Sequence, residues 1–129
     1  MSQSLKNHYS MKVLFVQEEP MLATALKLTL LKEGYEISFC KTAGEAINAM
    51  RASHPDILIA DIALSQKSKQ LVSDAKRNKI PIILLGNSAS EEQLQLAFDM
   101  EADDYAASPL SLPELSLRVN KLTHHRSVA

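Results

Sequence analysis

Two short stretches, "ILIA" at 57–60 and "IILL" at 82–85, contain no polar residue at all. Successive side chains of a strand point to opposite faces, so strands apolar throughout need cover on both sides, the condition of a parallel sheet between two helix layers. The rest of the chain supplies that cover. Strand-length apolar runs at 12–16, 36–40 and 104–107 alternate with helical periodicity at 20–33, 42–53, 70–77, 91–100 and from 112 onward. Pro20 opens the first helix and Gly34 stops it. Thr42 with Glu45, and Ser111 with Glu114, form capping boxes that fix the starts of the second and last helices. Leu112, Leu115, Val119 and Leu122 line one face of the last. Five strand–helix units with short, right-handed connections predict an α/β fold, a (βα)5 doubly wound five-stranded parallel sheet. It occupies 11–123, with loose tails at 1–10 and 124–129.

A chain of 129 residues, 46% hydrophobic, is one domain's worth of core. Its net charge of -1 provides no field to draw nucleic acid or an anionic membrane. Cys40 is the sole cysteine and no apolar run spans a bilayer, which fits a reducing, cytoplasmic setting. With three glycines, Gly34, Gly44 and Gly86, there is no glycine-rich phosphate loop, so dinucleotide and P-loop versions of this architecture are excluded.

Ligands of a doubly wound sheet bind outside the C-terminal strand edges. The first strand there leads into an acidic pocket of Gln17, Glu18 and Glu19, the third ends in Asp61, the fourth in Gly86, and the fifth in Ser108 before Pro109. An aspartate closing an apolar strand is either a ligand-binding carboxylate or the N-cap of whatever follows.

"KVLFVQEEP", "HPDILIADIAL", "IPIILLG" and "EADDYAASPLSLPELSLRV" together resemble the receiver domain of two-component response regulators, over nearly all of 12–122. The resemblance implies the flavodoxin-like receiver fold. It also implies a signalling role in which a kinase phosphorylates an aspartate, with protein partners: a sensor kinase, an effector domain or another signalling protein. The phospho-acceptor falls on Asp61 and the acidic pair on Gln17 and Glu18. Mg²⁺ would be held by Glu18, Asp61 and the Ala63 carbonyl. The switch positions are Gly86, normally Thr or Ser, Tyr105, and Ser108, normally Lys, with a cis peptide before Pro109. Asp103, Asp104, Glu114 and Arg118 resemble the charged association face of the winged-helix subfamily.

Three of these positions have changed chemistry. Gln17 removes an anion, Ser108 a cation and Gly86 a hydroxyl. Losing one electrostatic donor typically slows transfer by about 10²- to 10³-fold. Lys67 and Lys69, in a presumed loop after Asp61, are the nearest substitutes in sequence. "LSQKSKQ" replaces the usual glycine-containing turn, and the 61–81 link is short. The expectation is therefore a pseudo-receiver, not itself an enzyme, that requires no cofactor, binds Mg²⁺ weakly and signals by protein interaction as a monomer or weak homodimer. Two alternatives stay open: a slow but real phospho-acceptor at Asp61 in a phosphorelay, and a small flavodoxin-like ligand-binding protein.

Overall fold

The computed structural model describes residues 10–128. Five strands, β1 (Lys12–Val16), β2 (Glu36–Cys40), β3 (Ile57–Asp61), β4 (Ile82–Gly86) and β5 (Asp104–Ala107), form one parallel sheet in the order β2-β1-β3-β4-β5. Six helices connect or follow them: α1 (Pro20–Leu31), α2 (Ala43–Ser53), α3 (Ile62–Lys67), α4 (Lys69–Arg77), α5 (Glu91–Asp99) and α6 (Leu112–Val128).

The two-sided burial of β1, β3 and β4 divides their side chains between two cores. Leu14, Leu58, Ile82 and Leu84 meet α2, α3, α4 and α5 through Met50, Ile62, Leu71 and Ala97. Phe15, Ile59, Ile83 and Leu85 meet α1 and α6 through Leu26, Leu30, Leu115 and Val119. Apolar strands thus acquire helices on both faces, as a parallel sheet requires.

The capping signals act locally. Thr42 Oγ1 accepts from the Glu45 N–H at 3.1 Å, while the Glu45 carboxylate accepts from Lys41 N–H rather than from Thr42. Ser111 Oγ accepts from Glu114 N–H at 3.3 Å. Gly34 follows α1 at φ +91°, the left-handed conformation glycine adopts without strain.

Two segments depart from the sequence reading. The stretch after Asp61 is a helix, α3, instead of a loop, because Asp61 caps it and Ile62 and Ser65 bury their side chains. At the other end α6 continues to Val128, through most of the expected tail 124–129, since no glycine or proline interrupts it after Pro113. Thr123 is buried there and donates to the Val119 carbonyl at 2.8 Å. Of the expected N-terminal tail, residues 1–9 lie outside the described residues.

Candidate functional site

The C-terminal edge of the sheet gathers Gln17, Glu18, Glu19, Asp61, Gly86 and Ser108 beside the starts of α1 and α3. Gln17 extends the β1–β2 pairing through its N–H to the Cys40 carbonyl, 3.0 Å. Its side-chain oxygen accepts from the Glu18 N–H at 2.9 Å, so the amide folds onto its own backbone and makes no bond to Asp61. Glu18 and Glu19 are exposed. Glu19 precedes α1 without a side-chain cap.

Asp61 is half-buried, and its Oδ1 accepts two helix-start amides, Ala63 N–H at 2.8 Å and Leu64 N–H at 3.2 Å. The first amides of a helix have no intrahelical acceptor, and a carboxylate at the N-cap satisfies them. The Asp61 backbone carbonyl also accepts from the Ser65 hydroxyl at 3.0 Å. Oδ2 makes no hydrogen bond among the described residues. The carboxylate is thus held in place as a structural cap, with one oxygen left over.

This cap rearranges the proposed metal ligands. In a helix the N–H and C=O of one residue point in opposite directions along the axis. Ala63 directs its N–H at Asp61, so its carbonyl runs away along α3 instead of sharing a coordination shell with that carboxylate. Mg²⁺ demands near-octahedral oxygen ligands at about 2.1 Å. Among the described residues no three His, Cys, Asp or Glu side chains are grouped to hold a metal ion. Of the Glu18, Asp61 and Ala63 set, the Ala63 carbonyl as it stands is not directed at a point shared with the Asp61 carboxylate.

The candidate cations are displaced as well. Lys67 lies at the far end of α3, six residues from Asp61, or roughly 9 Å along the helix axis. Lys69 opens α4 and lines a hollow of about 750 Å³ between α4 and α5, floored by Val72, Leu96 and Met100. Ser108 is exposed, donates its N–H to the Gly86 carbonyl at 3.0 Å and precedes Pro109 through a cis peptide.

Gly86 has acquired a neighbour. A Cβ built on it would lie 2.6 Å from Tyr105 Cζ and 2.7 Å from Cε1, closer than carbon atoms pack. The Tyr105 ring therefore lies across the glycine. Its hydroxyl donates to the Ser88 carbonyl and also reaches Gln93 Oε1 at 3.2 Å. Burial raises the Tyr105 pKa, with the Ser88 bond acting in the opposite direction.

The presumed association face is internally paired. Arg118 Nη1 donates to both oxygens of Asp104, at 2.6 and 2.7 Å, and Nη2 donates to Glu114 Oε1 at 2.8 Å. Its guanidinium pKa is raised by Glu114 first and then by Asp104. Asp103 sits at the opposite edge of the sheet from Asp61, where its Oδ2 accepts from the Ile82 N–H at 2.7 Å and ties β5 to β4.

One ionic centre escaped the sequence reading. Asp74 on α4 is buried and accepts from Gln70 at 2.8 Å, Arg51 at 3.1 Å and Arg77 at 3.1 Å. The Gln70 bond, then Arg51 and Arg77, hold its carboxyl below the usual range against the opposing effect of burial. Gln70 and Arg77 were visible as helix neighbours at four and three residues; Arg51, on α2, was not. The buried Cys40 thiol, pushed up by burial and then by Glu45, belongs to the core.

Comparison with known proteins agrees with this geometry. The family model described as "Response regulator receiver domain" matches residues 13–120. A protein described as a response regulator from Chloroflexus aurantiacus is 27% identical, covering 89% of this chain and 98% of that one, with a TM-score of 0.80. A response regulator from Thermotoga maritima superposes at 0.80 with 22% identity, covering 89% and 98% of the two chains. The non-phosphorylated HemR receiver domain from Leptospira biflexa does so at 0.75 with 24% identity, covering 88% and 94%. A parallel β2-β1-β3-β4-β5 sheet, an aspartate closing β3 and this match over 13–120 make the chain a member of the response regulator receiver domain family.

Proposed function

We propose that this receiver domain is a pseudo-receiver: a signalling module that works by binding a protein partner, without Mg²⁺-assisted phosphoryl transfer to Asp61. The observation that carries the reading is the cap. Asp61 Oδ1 is held by the Ala63 and Leu64 amides, which turns the Ala63 carbonyl away from the crevice. Phosphoryl transfer needs preorganised positive charge where anionic oxygens gather. Asp61 has no ion pair among the described residues, Lys67 is remote and Ser108 is neutral. Losses at the metal and lysine positions, if independent, slow phosphorylation by roughly 10⁴-fold.

The partner is a sensor kinase, an effector domain or another signalling protein, in a cytoplasmic setting, and the domain is neither an enzyme nor dependent on a cofactor. One observation favours the slow phospho-acceptor as a second reading: Asp61 Oδ2 accepts no hydrogen bond among the described residues. Incubation with acetyl phosphate and Mg²⁺, followed by intact mass, separates the two. We expect no adduct of about 80 Da within minutes. A rapid adduct that vanishes in Asp61→Asn, which retains a competent cap, transfers the assignment to the phosphorelay.

A further inference from the structure

We propose that Gly86 and Tyr105 form a fixed latch that sets the position of α5, and that this position does not depend on the state of Asp61. The proposal deepens the pseudo-receiver reading, because it explains how one face of the domain is held ready without phosphorylation.

Gly86 ends β4 with a backbone φ outside the left-handed region, so no conformational demand requires glycine there. What requires it is the ring. An alanine Cβ would overlap two carbons of Tyr105, and a rigid ring relieves that overlap only by rotating out as a unit.

Rotation breaks both hydroxyl bonds, to the Ser88 carbonyl in the β4–α5 connection and to Gln93 in the first half of α5. The apolar packing of this helix is limited to Ala97 and the partly buried Leu96. Ala97 is its one buried residue, whereas Leu94 and Phe98 are 47% and 76% exposed. A helix with so little buried apolar surface lies at the low-stability end of local unfolding, where the single hydroxyl hydrogen shared between Ser88 and Gln93 weighs heavily. The Tyr105 hydroxyl therefore governs how firmly α5 presents Leu94 and Phe98. Asp61 does not enter this chain of contacts: its side-chain bonds run to α3.

Amide hydrogen exchange over 88–98 tests the latch on the intact chain. Gly86→Ala is expected to speed exchange there on the order of tenfold, and Tyr105→Phe, which keeps the ring and loses the hydroxyl, by a similar factor. In a Tyr105→Ala background, where there is no ring to displace, Gly86→Ala should add nothing. Asp61→Asn should leave 88–98 unchanged. Equal effects of Gly86→Ala with and without the ring would overturn the proposal, as would a Tyr105→Phe variant with native exchange. Loosening of 88–98 by Asp61→Asn would refute the independence from Asp61. An acetyl phosphate adduct would defeat the pseudo-receiver reading and leave these exchange results to stand by themselves.

Discussion

Replacing Asp61 with alanine should destabilise the domain, and the sign of the effect is the informative part. A carboxylate crowded by other acids and kept for phosphoryl chemistry is an unfavourable group, so its removal relieves repulsion and stabilises the fold. A carboxylate that caps a helix behaves in the opposite way. Asp61 Oδ1 satisfies two amides at 2.8 and 3.2 Å. Loss of an N-cap to alanine costs about 1 kcal/mol, within a range of roughly 0.5–2. The negative charge at the start of α3 adds about 0.3 kcal/mol, the low end for such an effect because the helix has only six residues. The Ser65 bond to the Asp61 main-chain carbonyl survives the substitution.

Asp61→Ala should therefore lose about 1.3 kcal/mol in all. With a urea slope of about 1–3 kcal/mol per molar, the unfolding midpoint falls by roughly 0.4–1.3 M. Asp61→Asn, which caps almost as well, should stay within about 0.5 kcal/mol of the parent. Equilibrium urea unfolding followed by far-UV circular dichroism gives all three midpoints. An alanine variant as stable as the parent, or more stable, would show that the amides do not depend on Asp61 and would refute the cap argument.

Asp74 gives a pH signature. Its carboxyl is held below the unfolded value of 3.8, so it contributes stability that is fully present above that pH and lost as pH falls through the lower folded value. The gap in urea midpoint between parent and Asp74→Asn should be constant near neutrality and shrink below about pH 4; a gap unchanged at pH 2 would contradict the ion-pair assignment. Arg118 bridges Asp104 and Glu114 within one subunit, and Arg118→Ala should cost about 1–2 kcal/mol, chiefly through the partly buried Asp104 pair. Because these charges already pair within one subunit, the domain should sediment as a monomer or weak dimer at micromolar concentration, before and after that substitution. A tight parent dimer that Arg118→Ala dissociates would show that the arginine pairs across subunits instead.

Five strands, the Thr42 and Ser111 helix caps and the parallel character of the sheet were legible in the sequence because each is written within a few residues. Continuous apolar runs such as "IILL" report burial on both faces, and the Thr42 and Ser111 hydroxyl oxygens accept from the Glu45 and Glu114 amides three positions on. The changed chemistry of the crevice was legible for the same reason, since Gln17, Ser108 and Gly86 are identities and need no coordinates. What those residues do instead was decided by the tertiary structure. Six residues are too few for helical periodicity to announce α3, so the sequence left Asp61 as either a ligand or a cap, and only the fold decided for the cap. Tyr105 and Gly86 are 19 positions apart and meet because β4 and β5 pair in one register, with Leu84 opposite Tyr105 and Gly86 opposite Ala107. Arg51 reaches Asp74 across 23 residues because α2 and α4 pack on the same face of the sheet. Local hydrogen bonds and periodicity are properties of a short window of chain, whereas which ring fills the space above a glycine depends on packing between segments that no window contains.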